Sequence, residues 1–270
     1  SIRIIDFSSN SSIVLLKKGS DFNYLLKDAE VRLLFNKINI PKILHIDYDY
    51  KYFIEERIIG IPWNRLSDNL CKVDFLNFAR LDLSYIYAQT QEELIISSYV
   101  KSLIYNINSV LSKYPDGQKK LLLEFTSLII KRLMLNLNKY VDDCIIICDT
   151  HGDFQPANII CSDDKFWLID WEYSYKRSIF YDALTFFVES RITVGFSLRL
   201  SKFMSDLKNG NVFFEWTGAN LNYDVFYYLD IFLLEDILLK INEASSSGIH
   251  NKVDTLYPYL SEIYDYVKKI

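Results

Sequence analysis

The stretch from residue 145 to residue 187 decides the fold, and its informative pieces read IIICDTHGDFQPANII (145–160), CSDDKFWLIDWEYS (161–174) and FYDALTFF (180–187). Two apolar runs, Cys144 to Cys148 and Phe166 to Ile169, have the length and composition of buried strands. They bracket a polar loop that carries Asp153 and Asn158, and the second run ends directly on Asp170. The sequence therefore predicts two strands and a loop that bring three polar side chains together.

The spacing of these side chains indicates a chemistry. Asn158 follows Asp153 by five residues, and Asp170 follows twelve residues later. One carboxylate can position and deprotonate a hydroxyl, while an Asn and a second Asp hold a metal against the phosphates of a nucleotide. In the alternative interpretation, Asp153 and Asn158 cap a loop and Asp170 ends a strand in a turn. That alternative leaves their joint spacing unexplained, so the pattern favours phosphoryl transfer from a magnesium-bound nucleotide.

HGDFQPAN followed by LIDWEYS resembles the aminoglycoside phosphotransferase and choline kinase superfamily, whose members are small-molecule relatives of the protein kinases. The family pattern is H-x-D-x-x-x-x-N and then an apolar strand ending in I-D-[WF], which His151, Asp153, Asn158, Asp170 and Trp171 match. One such motif alone would be weak, whereas several positions in register are specific. The resemblance implies an α+β, two-lobed protein-kinase-like fold, with a small antiparallel β lobe at the N-terminus and a larger, mostly helical C-terminal lobe.

The resemblance also implies a role for each matching residue. Asp153 is the expected catalytic residue, which accepts the proton of the acceptor hydroxyl. Asn158 and Asp170 are the expected ligands of Mg²⁺, and ATP is the expected phosphoryl donor. His151 is expected to hold the loop by a hydrogen bond. Asp182 is expected to anchor the catalytic loop through backbone N–H groups.

Residues 1–58 are predicted to form the N-terminal nucleotide-binding lobe, and residues 59–270 the helical C-terminal lobe with the catalytic loop and the acceptor site. Apolar runs separated by polar turns predict three N-terminal strands, at 2–7, 13–17 and 22–27, with a hairpin turn at 18–21. A helix is predicted over 29–38. Helical spacing of apolar residues begins near Val73, and further helices are predicted at 99–111, 181–194, 197–208, 224–242 and 252–269.

The first polar turn carries Asn10 and Ser11, and the resemblance places it over the nucleotide phosphates. The turn contains no glycine. Serine hydroxyls and backbone N–H groups can still reach a phosphate, but close approach of the backbone is harder without glycine. A plain hairpin turn explains the stretch equally well. The run Arg57 to Pro62 resembles the family hinge, where backbone groups near Glu55 to Arg57 would hydrogen-bond an adenine.

Lys27 resembles the family's third-strand lysine, which pairs with the α- and β-phosphates, and Glu30 resembles the carboxylate that orients it. Only two residues separate them, whereas the family linker is usually longer. Lys17 is the alternative. It lengthens the spacing to Glu30, but it leaves too little chain for two preceding strands. Lys27 is favoured, and either lysine can also be a solvated strand end.

The acceptor is expected to be a small molecule with a hydroxyl group: choline or ethanolamine, a sugar, or an aminoglycoside. Glu172 and Glu189 are candidate contacts for a cationic acceptor, and IDWEYS favours an amino alcohol by analogy with the choline kinases. Aromatic residues are plentiful, with 20 Tyr and 18 Phe, and could form a cage for a quaternary ammonium. Their spread along the whole chain is more typical of packing.

Composition argues against several other classes of protein. The net charge is −5 and no basic stripe occurs, so nucleic acid is not an expected partner. No apolar run is long enough for a membrane span, no signal peptide opens the sequence, and four cysteines without CxxC spacing indicate reduced thiols. These features predict a cytoplasmic location. The oligomeric state is not readable.

Two rival functions remain. A non-catalytic nucleotide-binding or scaffold protein of the same fold would account for the glycine-free turn and the short linker after Lys27, but not for the intact set Asp153, Asn158 and Asp170. A protein kinase ranks last, because the segment between Asp170 and Asp182 is too short for an activation loop.

Overall fold

The computed structural model describes residues 2–15, 22–162, 165–208, 225–246 and 253–269. The chain divides into two compact units. The first unit contains residues 1–90 and 148–176, and the second contains residues 91–147 and 177–270. The first unit therefore includes both the N-terminal strands and the polar loop with its flanking residues. The lobe boundary near residue 58 stays a prediction.

A four-stranded antiparallel sheet forms the N-terminal part of the first unit, in the order β1-β2-β4-β3. Its strands are β1 (Ile2–Asp6), β2 (Ser11–Leu15), β3 (Ile43–Asp47) and β4 (Tyr52–Glu56). Val14 and Phe53 pair across β2 and β4 and are both buried. They form a small core with Leu25 and Ala29 of the helix that follows β2.

That helix, α1 (Phe22–Leu34), shows that the predicted strand at 22–27 is wrong. The sequence FNYLLKDAEVRLL contains no Gly or Pro and is rich in strong helix formers. Leu25 and Ala29 are four residues apart, so they share the helix face that packs on the sheet. The predicted helix over 29–38 is the second half of α1, and it ends earlier, at Leu34. The predicted hairpin turn at 18–21 lies outside the described residues.

The rest of the first unit contains α2 (Asn69–Thr90) and a three-stranded sheet in the order β5-β8-β9. The strands are β5 (Ile61–Pro62), β8 (Ile159–Cys161) and β9 (Phe166–Leu168). Gly60 lies against β8 so closely that an added Cβ would be 2.5 Å from the backbone oxygen of Cys161. Only glycine fits there, within the predicted hinge run Arg57 to Pro62.

The second unit is mostly helical. Strand β6 (Glu92–Ile95) pairs antiparallel with the first four residues of β7 (Cys144–Thr150), and β10 (Tyr175–Ser178) leads into the helices after the polar loop. The helices are α3 (Ile96–Leu111), α4 (Asp116–Leu137), α5 (Tyr181–Val188), α6 (Phe196–Lys208), α7 (Val225–Ser246) and α8 (Val253–Val267). Helix α5 ends earlier than the predicted 181–194.

Helix α7 is buried on every side between Tyr227 and Ile237, and packs against α3, α4 and α8. Among the described residues, none of the helices is both long and apolar enough to cross a membrane. The predicted α+β class, with a small antiparallel β region and a mostly helical remainder, is confirmed.

Candidate active site

The polar loop after β7 brings Asp153 and Asn158 into direct contact. The amide nitrogen of Asn158 donates to the carboxylate oxygen Oδ2 of Asp153 at 3.0 Å and to its backbone oxygen at 2.8 Å. Gly152 has a φ of 82°, a conformation that side chains disfavour, and allows the sharp turn before Asp153. Both polar side chains are buried. Because these bonds use the amide nitrogen, the oxygen of the Asn158 amide is the atom suited to a metal.

Asp170 lies beside this loop because the backbone ties the two segments together. The N–H of Ile169 donates to the backbone oxygen of Asn158 at 3.1 Å. Asp170 itself is left-handed, with φ 63° and ψ 59°, a conformation that Asp adopts more readily than most residues. Burial raises the pKa of Asp170, the charges of Arg3 and Arg32 oppose that rise, and the charge of Asp153 adds to it.

His151 contacts both the polar loop and the segment that leads to Asp170. It is fully buried, and its Nε2 lies 2.9 Å from the backbone oxygen of Ile169. Its Nδ1 accepts the backbone N–H of Asp153 at 3.3 Å, so the proton of a neutral ring sits on Nε2. The ring also lies 4.4 Å from that of Trp171, centroid to centroid. Contacts of this kind support the predicted role of His151 in holding the loop.

Negative charge is in excess around the loop. Five carboxyl groups interact electrostatically with one another there, and ion pairs with two guanidinium groups offset part of their charge. The carboxyl groups are those of Asp28, Glu55, Asp153, Asp170 and Glu172, and the guanidinium groups are those of Arg3 and Arg32. Within the described part of the chain, no group of three or more His, Cys, Asp or Glu side chains is arranged to hold a metal by itself. One carboxylate, one amide oxygen and the oxygens of a nucleotide form a ligand set that suits Mg²⁺, which binds few protein ligands. The residues therefore fit the metal together with its nucleotide.

The two arginines form a network around the buried Glu55, and the sequence did not predict it. Arg32 donates from Nε and Nη2 to the two carboxylate oxygens of Asp28, at 2.8 and 3.0 Å, and from Nη1 to Glu55 at 2.5 Å. Arg3 donates from Nε to the other oxygen of Glu55 at 2.6 Å. The spacing of four residues between Asp28 and Arg32 was a readable signal for a helical ion pair. The predicted strand at 22–27 leaves Asp28 outside the predicted helix, so the sequence did not suggest a helical pair.

The turn between β1 and β2 satisfies its own hydrogen bonds. Asp6 accepts bonds from the backbone N–H of Ser8 and from the hydroxyls of Ser8 and Ser9, and these bonds hold its pKa below the usual range. Asn10 has a φ of 51°, so it takes the left-handed position that glycine would otherwise fill. Ser11 is buried, with its Oγ 2.6 Å from that of Ser9. Binding of a phosphate by Asn10 and Ser11 stays a prediction.

The predicted hinge donors are also engaged within the first unit. The N–H of Arg57 donates to the backbone oxygen of Asn10 at 3.1 Å, and the N–H of Glu56 donates to that of Lys42 at 2.9 Å. These bonds join the hinge segment to the first turn and to the start of β3. An adenine would therefore use other backbone groups of this segment.

The assignment of Lys27 to a third strand is wrong, because Lys27 lies on α1. Lys27 is half-buried and Glu30 is exposed three residues further along the same helix. These two residues therefore do not form the expected arrangement, in which a lysine on a strand faces a carboxylate on a separate helix. The alternative, Lys17, lies outside the described residues.

The remaining candidates fall in both units. Glu172 is half-buried in the short 3-10 turn Trp171–Tyr173 of the first unit. Burial raises its pKa, and the nearby charges of Asp170, Asp28 and Asp153 add to this. In the second unit, Asp182 is fully buried in the first turn of α5, and the exposed Glu189 lies at the end of α5 with its carboxylate 3.7 Å from Arg199.

The sequence matches no protein-family model, and comparison with curated proteins gave no match either. Solved structures do match. A thermostable mutant of aminoglycoside phosphotransferase APH(4)-Ia, in a ternary complex with ADP and hygromycin B, superposes with a TM-score of 0.59 at 13% identity over 99% of this chain and 92% of that chain. The chain has the fold of the aminoglycoside phosphotransferase and choline kinase superfamily.

Two further structures support that conclusion. Choline kinase LicA from Streptococcus pneumoniae has a TM-score of 0.55 at 16% identity, covering 94% of this chain and 85% of that one. A glucosamine kinase has a TM-score of 0.50 at 9% identity, covering 96% and 73%. All three similar structures are kinases of small molecules, and the fold predicted from HGDFQPAN and LIDWEYS is confirmed.

Proposed function

We propose that this protein is an ATP-dependent phosphotransferase that transfers the γ-phosphate to a hydroxyl group of a small molecule. The observation that carries the proposal is the joint position of three side chains. Asn158 is hydrogen-bonded to Asp153 at 3.0 Å, and the backbone bond from Ile169 to Asn158 brings Asp170 beside them. A kinase-like fold alone would not require these groups to meet, because one fold carries many functions.

Each side chain has a distinct part in the proposed reaction. Asp153 would position the acceptor hydroxyl and take its proton as the oxygen attacks the γ-phosphorus and ADP leaves. Its Oδ2 is held by two donors, Gln155 Nε2 and Asn158 Nδ2, each at 3.0 Å. Asn158 and Asp170 would hold Mg²⁺, which neutralises charge on the phosphates when it is bound.

By analogy, the similar structures indicate the chemical class of the acceptor molecule. One of them binds hygromycin B, and the other two are kinases of choline and glucosamine; all three compounds carry an amine or ammonium group. The carboxyl groups of Asp153, Asp170 and Glu172 give the first unit an excess of negative charge that suits a cationic acceptor. We therefore propose an amino alcohol, amino sugar or aminoglycoside as the acceptor.

A non-catalytic nucleotide-binding or scaffold protein of the same fold is the second candidate. The β1–β2 turn favours it, because the Ser8 and Ser9 donors that would contact phosphate are used by Asp6. A carboxylate in that turn also repels phosphate. This candidate predicts nucleotide binding without transfer to any acceptor.

A nucleotide-consumption screen separates the two. Wild-type protein with Mg-ATP is tested for ADP release against amino alcohols, amino sugars and aminoglycosides, and Asp153→Asn is assayed beside it. We expect one acceptor class to stimulate ADP release in the wild type and not in Asp153→Asn. Binding of Mg-ATP with no stimulation by any acceptor would favour the non-catalytic candidate.

A further inference from the structure

Arg3 links the inner charge network to the candidate metal ligand. It lies on β1, and its Nε donates to Glu55 Oε1 at 2.6 Å. Its Nη2 lies 3.9 Å from Asp170 Oδ1, too far for a hydrogen bond but close enough for an ion pair. The Arg3 side chain is 34% exposed, whereas that of Glu55 is 3% exposed. One edge of the guanidinium is therefore fixed inside the unit, and another lies at Asp170.

Glu55 is itself held in place from the other side. Arg32 Nη1 donates to Glu55 Oε2 at 2.5 Å, and the remaining edge of Arg32 is taken by Asp28. The Arg32 side chain has no exposed surface, and its charge is paired with the carboxylates of Asp28 and Glu55. Arg3 is the member with accessible surface. A guanidinium clamped by Nε and presenting its Nη end has the donor geometry that phosphate oxygens accept.

We infer that Arg3 is the cation of the first unit that contacts a phosphate oxygen of bound Mg-ATP. This inference rests on the proposed function, because it requires a nucleotide at Asp170. Asp170 would hold the metal that binds the phosphates, and Arg3 Nη2 lies 3.9 Å from that carboxylate, so it would be close to those phosphates. With Asp170 engaged by the metal, the Nη end of Arg3 would be available to a phosphate oxygen.

This assignment replaces the lysine expected from the resemblance. Lys27 lies on α1 and not on a strand, and its predicted partner Glu30 is exposed on the same helix. Arg3 has the features that the lysine was expected to have. It lies on a strand, a buried carboxylate orients it, and its charged end reaches a candidate metal ligand.

The test is calorimetric titration with Mg-ATP and, separately, with adenosine, which lacks phosphates. The variants are Arg3→Gln, Arg3→Lys and, as a control, Arg65→Gln, which changes an exposed arginine of the same unit. A charge-assisted hydrogen bond contributes about 1.5–3 kcal/mol, so Arg3→Gln should weaken Mg-ATP binding by about tenfold or more. Adenosine affinity should stay unchanged, Arg3→Lys should recover part of the loss, and Arg65→Gln should match the wild type.

Competing assignments give different results. Equal Mg-ATP affinity in Arg3→Gln and wild type, with binding lost in Asp170→Ala, overturns the role of Arg3 and leaves the proposed function intact. Equal losses for Mg-ATP and adenosine mean that Arg3 only supports the fold, which also overturns the role. A larger loss in Lys17→Gln or Lys27→Gln than in Arg3→Gln assigns the contact to that lysine. Absence of Mg-ATP binding in the wild type refutes the proposed function itself.

Discussion

Both units bury carboxyl groups, but Glu55 of the first unit is bonded to guanidinium groups, whereas Glu235 and Asp236 of the second are bonded to hydroxyls. In the first unit, Glu55 accepts bonds from Arg3 and Arg32. In the second, Glu235 is bonded to the Tyr99 hydroxyl at 2.6 Å and to the backbone N–H and hydroxyl of Ser178, at 2.6 and 2.7 Å. Guanidinium partners place full positive charges beside the carboxylates near the proposed metal and phosphate site. Hydroxyl partners satisfy hydrogen bonds without supplying a full charge.

The second unit repeats its pattern one residue further along α7. Asp236 is fully buried and accepts bonds from the hydroxyls of Tyr181, at 2.9 Å, and Tyr259. These bonds connect α5, α7 and α8. Burial raises the pKa of Glu235 to about 7 in spite of its hydrogen bonds from Tyr99 and Ser178 and the charge of Arg177. Carboxyl groups of the second unit therefore connect helices, whereas those of the first unit surround the candidate active site.

The largest expected effect comes from breaking the guanidinium network. Arg32→Met leaves Asp28 and Glu55 buried without their main partner, and loss of one member of a buried ion pair costs about 3–5 kcal/mol. The free energy of unfolding, measured by denaturant titration, should fall by about that amount. Arg65→Met, at an exposed position of the same unit, should stay within about 0.5 kcal/mol of wild type. Similar values for the two variants would show that the network contributes little.

Removing the proposed base should affect catalysis and leave binding in place. Asp153→Asn keeps the shape of the side chain but cannot accept the hydroxyl proton, so turnover should fall by at least about a hundredfold. Mg-ATP affinity should remain close to wild type. Steady-state ADP release with the acceptor found by the screen measures the first value, and calorimetry measures the second. Asp142→Asn, at an exposed position, serves as the control. Turnover near that of the control would exclude Asp153 as the base.

The smallest expected effect is a pH dependence that belongs to the second unit. The pKa of Glu235 is raised from 4.5 to about 7 in the folded protein. Between these values the unfolded chain releases the proton and the folded chain keeps it, so stability falls as pH rises through this window. The slope contributed by one proton is about 1.4 kcal/mol per pH unit at most.

Glu235→Gln should therefore make the free energy of unfolding less dependent on pH between about pH 5 and pH 7. Denaturant titrations of both proteins at several pH values measure the difference in slope. Asp230, whose pKa burial also raises to about 7, should keep part of the dependence in the variant. Parallel curves for wild type and variant would mean that Glu235 is ionised throughout this range.

The candidate site was predictable where its geometry is local. Asp153 and Asn158 are five residues apart in one loop, and the strands around that loop fix Asp170 through the bond from Ile169 to Asn158. A motif of fixed spacing between two strands encodes such an arrangement almost completely. The motif therefore predicted both the fold and the meeting of these side chains.

The N-terminal part was less predictable, because the short run Phe22–Lys27 reads as a strand when it is taken alone. Only the longer run of helix formers through Leu34 identifies α1. The contact of Arg3 with Glu55 joins residues 52 positions apart, and no local pattern encodes it. The two residues meet across the sheet because β2 lies between β1 and β4.

The most direct test of the active-site assignment is the binding of Mg-ATP to wild type and to variants of Asp170, measured by isothermal titration calorimetry. Asp170→Ala removes the carboxylate, and Asp170→Asn keeps a side chain that tolerates the left-handed backbone at φ 63°. Folding of each variant is checked by thermal unfolding. Wild type should bind Mg-ATP, and Asp170→Ala should show no measurable binding, with Asp170→Asn strongly weakened. Unchanged Mg-ATP affinity in both folded variants would contradict the assignment.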